Sequence, residues 1–231
     1  MRRLFSALFP CILLLLVLLA AFQGRNSSAA LSETELENRI WQLSVVLRGE
    51  NAEGSGCIYG YDEERQALVI ITAGHVLKEL QGSIEVKLSD GTVLPAASSL
   101  AAEKCDLGYV YLPYEKLPEK EKAYFEKEAD GKFGEFLQIR ESSSLQKNDA
   151  FHMPDKISTG ECSFVTGYVD PDRYLEEFGC EMIYADGGAV PGMSGSGMFD
   201  DSGRLIGILC GATEQYELAG VPAERIERYR Q

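Results

Sequence analysis

A histidine, an aspartate and a serine together can carry out acyl transfer, and this chain holds one of each in a fitting setting. The serine lies in "GMSGSGMFDDSGRLIGIL", Gly192 to Leu209. Glycine reaches backbone conformations barred to other residues, which suits a tight turn and equally suits a loop that aims N–H groups at a substrate. The loop alone therefore leaves both readings open. His75, one of only two histidines, ends the apolar run "LVIITAGHVL", where Ala73 and Gly74 leave room around the imidazole. Read alone, it would be a structural residue at a strand end. His152, in "AFHMP", has no comparable setting and is read as structural. Asp106, in "EKCDLGYVYLP", precedes a strand and by itself reads as a turn residue or cap. Beside His75 it gains another use, because a carboxylate buried against an imidazole fixes the ring's tautomer and stabilises the imidazolium formed on proton transfer.

The elements that must position these residues read as strands. "SVVLRG", "GSGCIYGY", "ALVIITA", "SIEVKL", "VLPAA" and "LGYVYL" are short apolar runs separated by turn signals such as "SDGT". After a charged stretch, 115–146, with an amphipathic helical segment near Glu119 to Glu128, strands resume in "DAFHMP", "ECSFVTGYV", "CEMIYAD", "GMFDD", "RLIGILCG" and "YELAGVP". Upstream, "LSETELENRIWQL" opens as a helix, with Ser32 as cap and Glu35 three residues on in a capping-box arrangement. Downstream, "PAERIERYR" opens with Pro222, which suits a first helical turn, and closes with arginines that suit a last one. The pattern predicts an all-β chain of two units, about 40–114 and about 147–222, joined by a connector over 115–146.

Composition bounds the rest. With 45% hydrophobic and 25% charged residues the chain can bury a core. The formal net charge is −14, and since residues 1–30 hold three arginines and no acid, the remainder carries −17. That excludes nucleic acid as a natural partner. Leu4 to Phe22 contains no charged residue and follows two arginines, as in a secretory signal or an uncleaved membrane anchor. Both remain open, Ser28-Ala29-Ala30 being suited to cleavage, and both export the residues after Gly24. Any membrane attachment would come through this segment. Beyond Cys11, the five cysteines 57, 105, 162, 180 and 210 cannot all pair within one chain, and at most two bridges are expected. No CxxC or Cys/His cluster is present, so no metal or cofactor is expected.

In order, "GSGCIY", "VIITAGHVL", "VKLSDGTVLPA", "CDLGYVYL", "GMSGSGMFDDSGRLIGIL" and "LAGVP" resemble the landmarks of the trypsin-like serine peptidases, the bacterial HtrA/Deg and glutamyl-endopeptidase branches above all. The order His75, Asp106, Ser194, with gaps of 31 and 88 residues, is that of the chymotrypsin arrangement. The resemblance covers roughly residues 40 to 226. It implies two packed six-stranded antiparallel β-barrels, His75 and Asp106 on the first and Ser194 on the second. It also implies that Ser194 and not Ser196 is the nucleophile, that the N–H groups of Gly192 and Ser194 form the oxyanion hole, and that Gly188, Ala189, Val190, Cys210, Gly211 and Ala212 form the substrate pocket. None of these six is charged, which implies an uncharged, aliphatic side chain before the cut, although Asp186 lies close by.

The chain departs from the family in places. Met193 replaces the acid that pairs with a freshly cut N-terminus in the trypsin branch, and Val76 follows His75 where the animal enzymes place a bridging cysteine. No PDZ domain is expected after "GVP". The leading expectation is an exported serine endopeptidase acting on protein or peptide substrates. The alternatives are a catalytically silent two-barrel domain that binds peptide segments as adaptor or chaperone, and a β-rich adhesion module, which would predict nothing about His75.

Overall fold

The computed structural model describes residues 31–128, 136–158, 163–172 and 182–230. The apolar run Leu4 to Phe22, with the question of signal or anchor, lies outside the described residues, as do Cys11, Cys162 and Cys180. Among the described residues no helix is long and apolar enough to cross a membrane.

The chain starts with helix α1, Glu33–Leu43, closed by the expected capping box. The Ser32 hydroxyl accepts from the Glu35 N–H, and the Glu35 carboxylate accepts from the Ser32 N–H. Leu36, Ile40 and Leu43 recur at helical spacing and are the buried face. Seven strands follow: β1 Ser44–Arg48, β2 Glu53–Asp62, β3 Ala67–Thr72, β4 Glu85–Lys87, β5 Val93–Pro95, β6 Ser98–Ala101 and β7 Gly108–Pro113. They form one antiparallel sheet in the order β5-β4-β1-β2-β3-β7-β6. The expected six-stranded first barrel is thus a seven-stranded sheet, and among the described residues no ladder joins its ends, β5 and β6. Strand β3 is buried along its whole length between β2 and β7, which is why it reads as an unbroken apolar run.

Helix α2, Gly74–Leu80, follows β3 directly. The sequence had placed His75 at the end of a strand; the strand stops at Thr72, and His75 lies in the first turn of a helix. The reason is a change of period, because Val76 and Leu80, four apart, are the side chains buried from here on.

In the connector, helix α3, Glu119–Glu128, buries Phe125, whose ring stacks on Phe136 at 5.4 Å. The second unit consists of β8 Ala150–Asp155, β9 Ser163–Val169, β10 Ile183–Gly187, β11 Gly197–Asp200, β12 Leu205–Ala212 and β13 Glu217–Pro222. Its six strands close into a barrel in the order β10-β13-β12-β11-β8-β9, all antiparallel. Phe151, Met153, Met198, Ile206 and Leu209 fill it. Leu205, Ile208 and Cys210, also on β12, belong instead to the core shared with the first sheet. Strand β12 is a wall between two apolar interiors, so "LIGILC" shows no polar alternation. The chain ends in a 3-10 turn, Ala223–Arg225, and helix α4, Ile226–Tyr229, strapped to β7 by a 2.6 Å hydrogen bond from the Tyr109 hydroxyl to the Ile226 carbonyl. Pro222 thus ends a strand and does not start the helix.

Candidate active site

Helix α2 presents His75 to the loop that precedes β7. Both oxygens of Asp106 are used on it: Oδ1 accepts from the His75 backbone N–H and Oδ2 meets Nδ1, each at 2.8 Å. The carboxylate thus holds the ring and the backbone that carries it. Both side chains are about one-third exposed. The hydrogen bond to Asp106 raises the His75 pKa above its ordinary value, burial works against this, and the Asp106 charge adds to it. Burial pushes the Asp106 carboxyl up, but the His75 side chain, its charge and its backbone N–H together outweigh this, and the pKa lies below the ordinary value.

Ser194 lies in the turn between β10 and β11. Its hydroxyl donates to the Cys210 carbonyl at 3.4 Å, and among the described residues no hydrogen bond joins it to His75. Cys210 also reaches the other way, its thiol donating to the Asp106 carbonyl at 3.5 Å. The thiol is buried, and burial, followed by the Asp106 charge, pushes its pKa up. Cys57 and Cys210 are free thiols, and Cys105 is buried beside Asp106. Ser196, two residues past Ser194, is buried and donates to the Pro154 carbonyl at 3.3 Å.

Around Ser194 the backbone N–H groups divide into two sets. Those of Met193, Gly195 and Ser196 donate to the carbonyls of Val190, Leu209 and Met193. Those of Gly192 and Ser194 have no backbone acceptor among the described residues, and this leaves them available to an incoming oxygen. Gly192 and Gly195 hold φ of +93° and +91°. A Cβ at Gly195 would lie 2.1 Å from the Ser55 carbonyl oxygen and 2.2 Å from Thr72 Oγ1, so only glycine fits this close approach of the two units. Met193 is fully buried in the second barrel's core, among apolar side chains.

A pocket of about 610 Å³ opens beside Ser194. Of the residues expected there, Ala189, Val190, Gly211 and Ala212 line it together with Ser194, whereas Gly188 and Cys210 do not. Cys210 turns its thiol toward Asp106 instead. The lining also includes Leu209, Thr213, Glu214 and Tyr216, which the sequence reading missed; Asp186 is not part of it. The sequence reads Tyr216 as the first residue of the strand "YELAGVP", whereas β13 begins one residue later and Tyr216 lines the pocket. His152 stands apart on β8, with Nε2 2.9 Å from Asp201 Oδ1 and Nδ1 3.3 Å from the Thr166 hydroxyl.

A closed antiparallel barrel packed on a curved antiparallel sheet is the architecture of the chymotrypsin-like, serine-type hydrolases. A family model described as "Trypsin-like peptidase domain" matches residues 54–208, and the chain belongs to that family. Similar solved structures include the HtrA-type protease AlgW with a tripeptide, at 18% identity and a TM-score of 0.65, covering 86% of this chain and 62% of AlgW. An inactive form of Rv3671c from M. tuberculosis H37Rv is 14% identical with a TM-score of 0.62, covering 87% of this chain and 91% of that one. A serine endoprotease from Yersinia pestis is 16% identical with a TM-score of 0.63, covering 87% and 66%. The chain therefore spans less than two thirds of AlgW and of the Yersinia protein. No curated protein matches it in sequence.

Proposed function

We propose that this chain is an exported serine endopeptidase in which Ser194 is the nucleophile, His75 the general base and Asp106 the residue that orients the base. The observation that carries the proposal is the two-point hold of Asp106 on His75, which commits Nδ1–H to the carboxylate and leaves Nε2 to take a proton. His75 Nε2 removes the Ser194 proton as Oγ attacks the scissile carbonyl carbon. The N–H groups of Gly192 and Ser194 then face the oxyanion. The imidazolium returns its proton to the leaving amine, an acyl-enzyme remains, and water repeats the cycle to release the acid. Export rests on the uncharged run Leu4 to Phe22, which would also hold the chain at the membrane if uncleaved.

One observation favours the alternative, a silent domain that binds peptide segments: the Ser194 hydroxyl rests on the Cys210 carbonyl and not on His75. Catalytic hydrogen bonds are often long or poorly aligned before substrate arrives, so this arrangement does not by itself decide for the silent domain. The test is a fluorophosphonate probe on the full 231-residue chain, read by mass spectrometry. A stoichiometric adduct on Ser194, lost in Ser194→Ala and His75→Ala, is expected; a folded chain that stays unlabelled would leave the peptide-binding reading.

The pocket walls also support a preference for an aliphatic residue before the cut, because Ala189, Val190, Leu209 and Ala212 offer no charge. In a fluorogenic peptide library, valine at that position is expected to exceed lysine by at least about 10-fold in kcat/KM. Cleavage mainly after lysine or arginine would show instead that Glu214, which also lines the pocket, sets the preference.

A further inference from the structure

Ser55, on β2 of the first sheet, makes two hydrogen bonds to the nucleophile turn of the second barrel. Its N–H donates to the Ser194 carbonyl at 3.0 Å, and its hydroxyl donates to the Gly192 carbonyl at 2.9 Å. Its own carbonyl accepts from the Thr72 hydroxyl at 2.7 Å, and the residue is almost wholly buried. No other described side chain donates to a carbonyl of residues 192–195. The flanking residues allow the approach: a Cβ at Gly54 would lie 2.5 Å from Val76 Cγ1, one residue beyond His75, and the Ser55 carbonyl already crowds Gly195. "GSG" in β2 thus touches the helix that carries His75 and the turn that carries Ser194.

We infer that Ser55 is a positioning residue for the oxyanion hole, an inference that rests on the peptidase reading above. Gly192 and Gly195 supply the φ values of about +90° that the turn needs, yet glycine leaves such conformations as readily as it enters them. With Met193 buried and uncharged, the turn has no internal ion pair to hold it. Ser55 fixes the peptide planes on both sides. Its hydroxyl pins the Gly192–Met193 plane and its N–H pins the Ser194–Gly195 plane. The Met193–Ser194 plane, whose N–H is one oxyanion donor, is held between them, and rotation at Gly192, which would swing the other donor away, breaks the bond from the hydroxyl. Electrostatic stabilisation of an oxyanion depends on donors that need no reorganisation when charge develops.

The test uses the full chain with a fluorogenic peptide bearing valine before the cut, and the matching peptide boronic acid as a tetrahedral mimic. Ser55→Ala keeps the N–H bond and loses the hydroxyl. It is expected to lower kcat by ~10- to 100-fold, less than the ~10²–10³ for losing an oxyanion donor itself, with KM changed by less than about 3-fold. Boronate affinity is expected to fall in step with kcat. Ser55→Cys, similar in size but a weaker donor, is expected to lie between, and it carries the same readout if the alanine variant does not fold. An active wild type whose kcat survives both substitutions would overturn the inference, as would a loss confined to KM or one that leaves boronate binding intact. A wild type that neither hydrolyses peptides nor reacts with fluorophosphonate overturns the peptidase reading, and this inference with it.

Discussion

Ser194→Ala is expected to lower kcat toward fluorogenic peptides by about two million-fold, His75→Ala by a similar factor, and the double substitution by no more than either alone. Attack on an amide needs an alkoxide-like oxygen, and a serine hydroxyl becomes one only as a base takes its proton. If Asp106 holds His75 with Nε2 as that base, each residue is useless without the other and the losses cannot add. Residual turnover about 10³–10⁴ above water is expected from the Gly192 and Ser194 donors and the pocket. Folding should be little affected, since the Ser194 hydroxyl has only a long 3.4 Å bond to the Cys210 carbonyl. Steady-state kinetics on the full chain, with thermal melts of each variant, check this. Losses that multiply, or a Ser194→Ala protein that retains burst kinetics, would place the nucleophile elsewhere.

The sequence showed most clearly what depends on local pattern. The capping box at Ser32 and Glu35 involves only residues three apart, and it formed as read. The apolar runs "ALVIITA" and "RLIGILCG" read as strands and are strands, β3 and β12, and the structure adds that β3 is buried along its whole length and that β12 faces two cores. His75 shows where such reading ends: "VIITAGHVL" reads as one largely apolar run, yet the strand stops at Thr72 and the chain goes on as a helix that buries Val76 and Leu80. The first unit's extra strand and open ends were likewise invisible, because sheet closure is decided by pairing across the fold. The same holds at the site. His75 and Asp106 could be singled out by type and setting, but Cys210 was assigned to the pocket, and its thiol faces Asp106, 104 residues away. Ser55 lies 137 residues from Gly192, and "GSG" in β2 was legible as a strand segment and a family landmark, with no sign of a role for Ser55.

The second large effect concerns Asp106→Asn. Asparagine keeps the shape, but its amide can donate toward His75 Nδ1 and favour the tautomer with the proton on Nε2, where the base is needed. A loss of about 10⁴-fold in kcat is expected. The pH profile separates this from a general loss of activity. In the wild type Asp106 raises the His75 pKa above the ordinary 6.5, so if His75 is the base, activity, which then needs the neutral ring, is expected to rise through a limb above that value. Without the carboxylate the limb moves to lower pH even as its plateau falls. Stability should respond in a linked way. The raised His75 pKa contributes stability that is complete below 6.5 and lost as pH rises through the folded value. The lowered Asp106 pKa contributes stability present above 3.8 and lost as pH falls through its folded value. Between these two limits the pair contributes in full, and both side chains are exposed enough that water keeps the contribution small. Melting temperature measured against pH should therefore show a shallow maximum in that window that Asp106→Asn flattens. An Asn variant that retains the wild-type acid limb would mean that a group other than His75 sets it, and the general base would have to be sought elsewhere in the cleft.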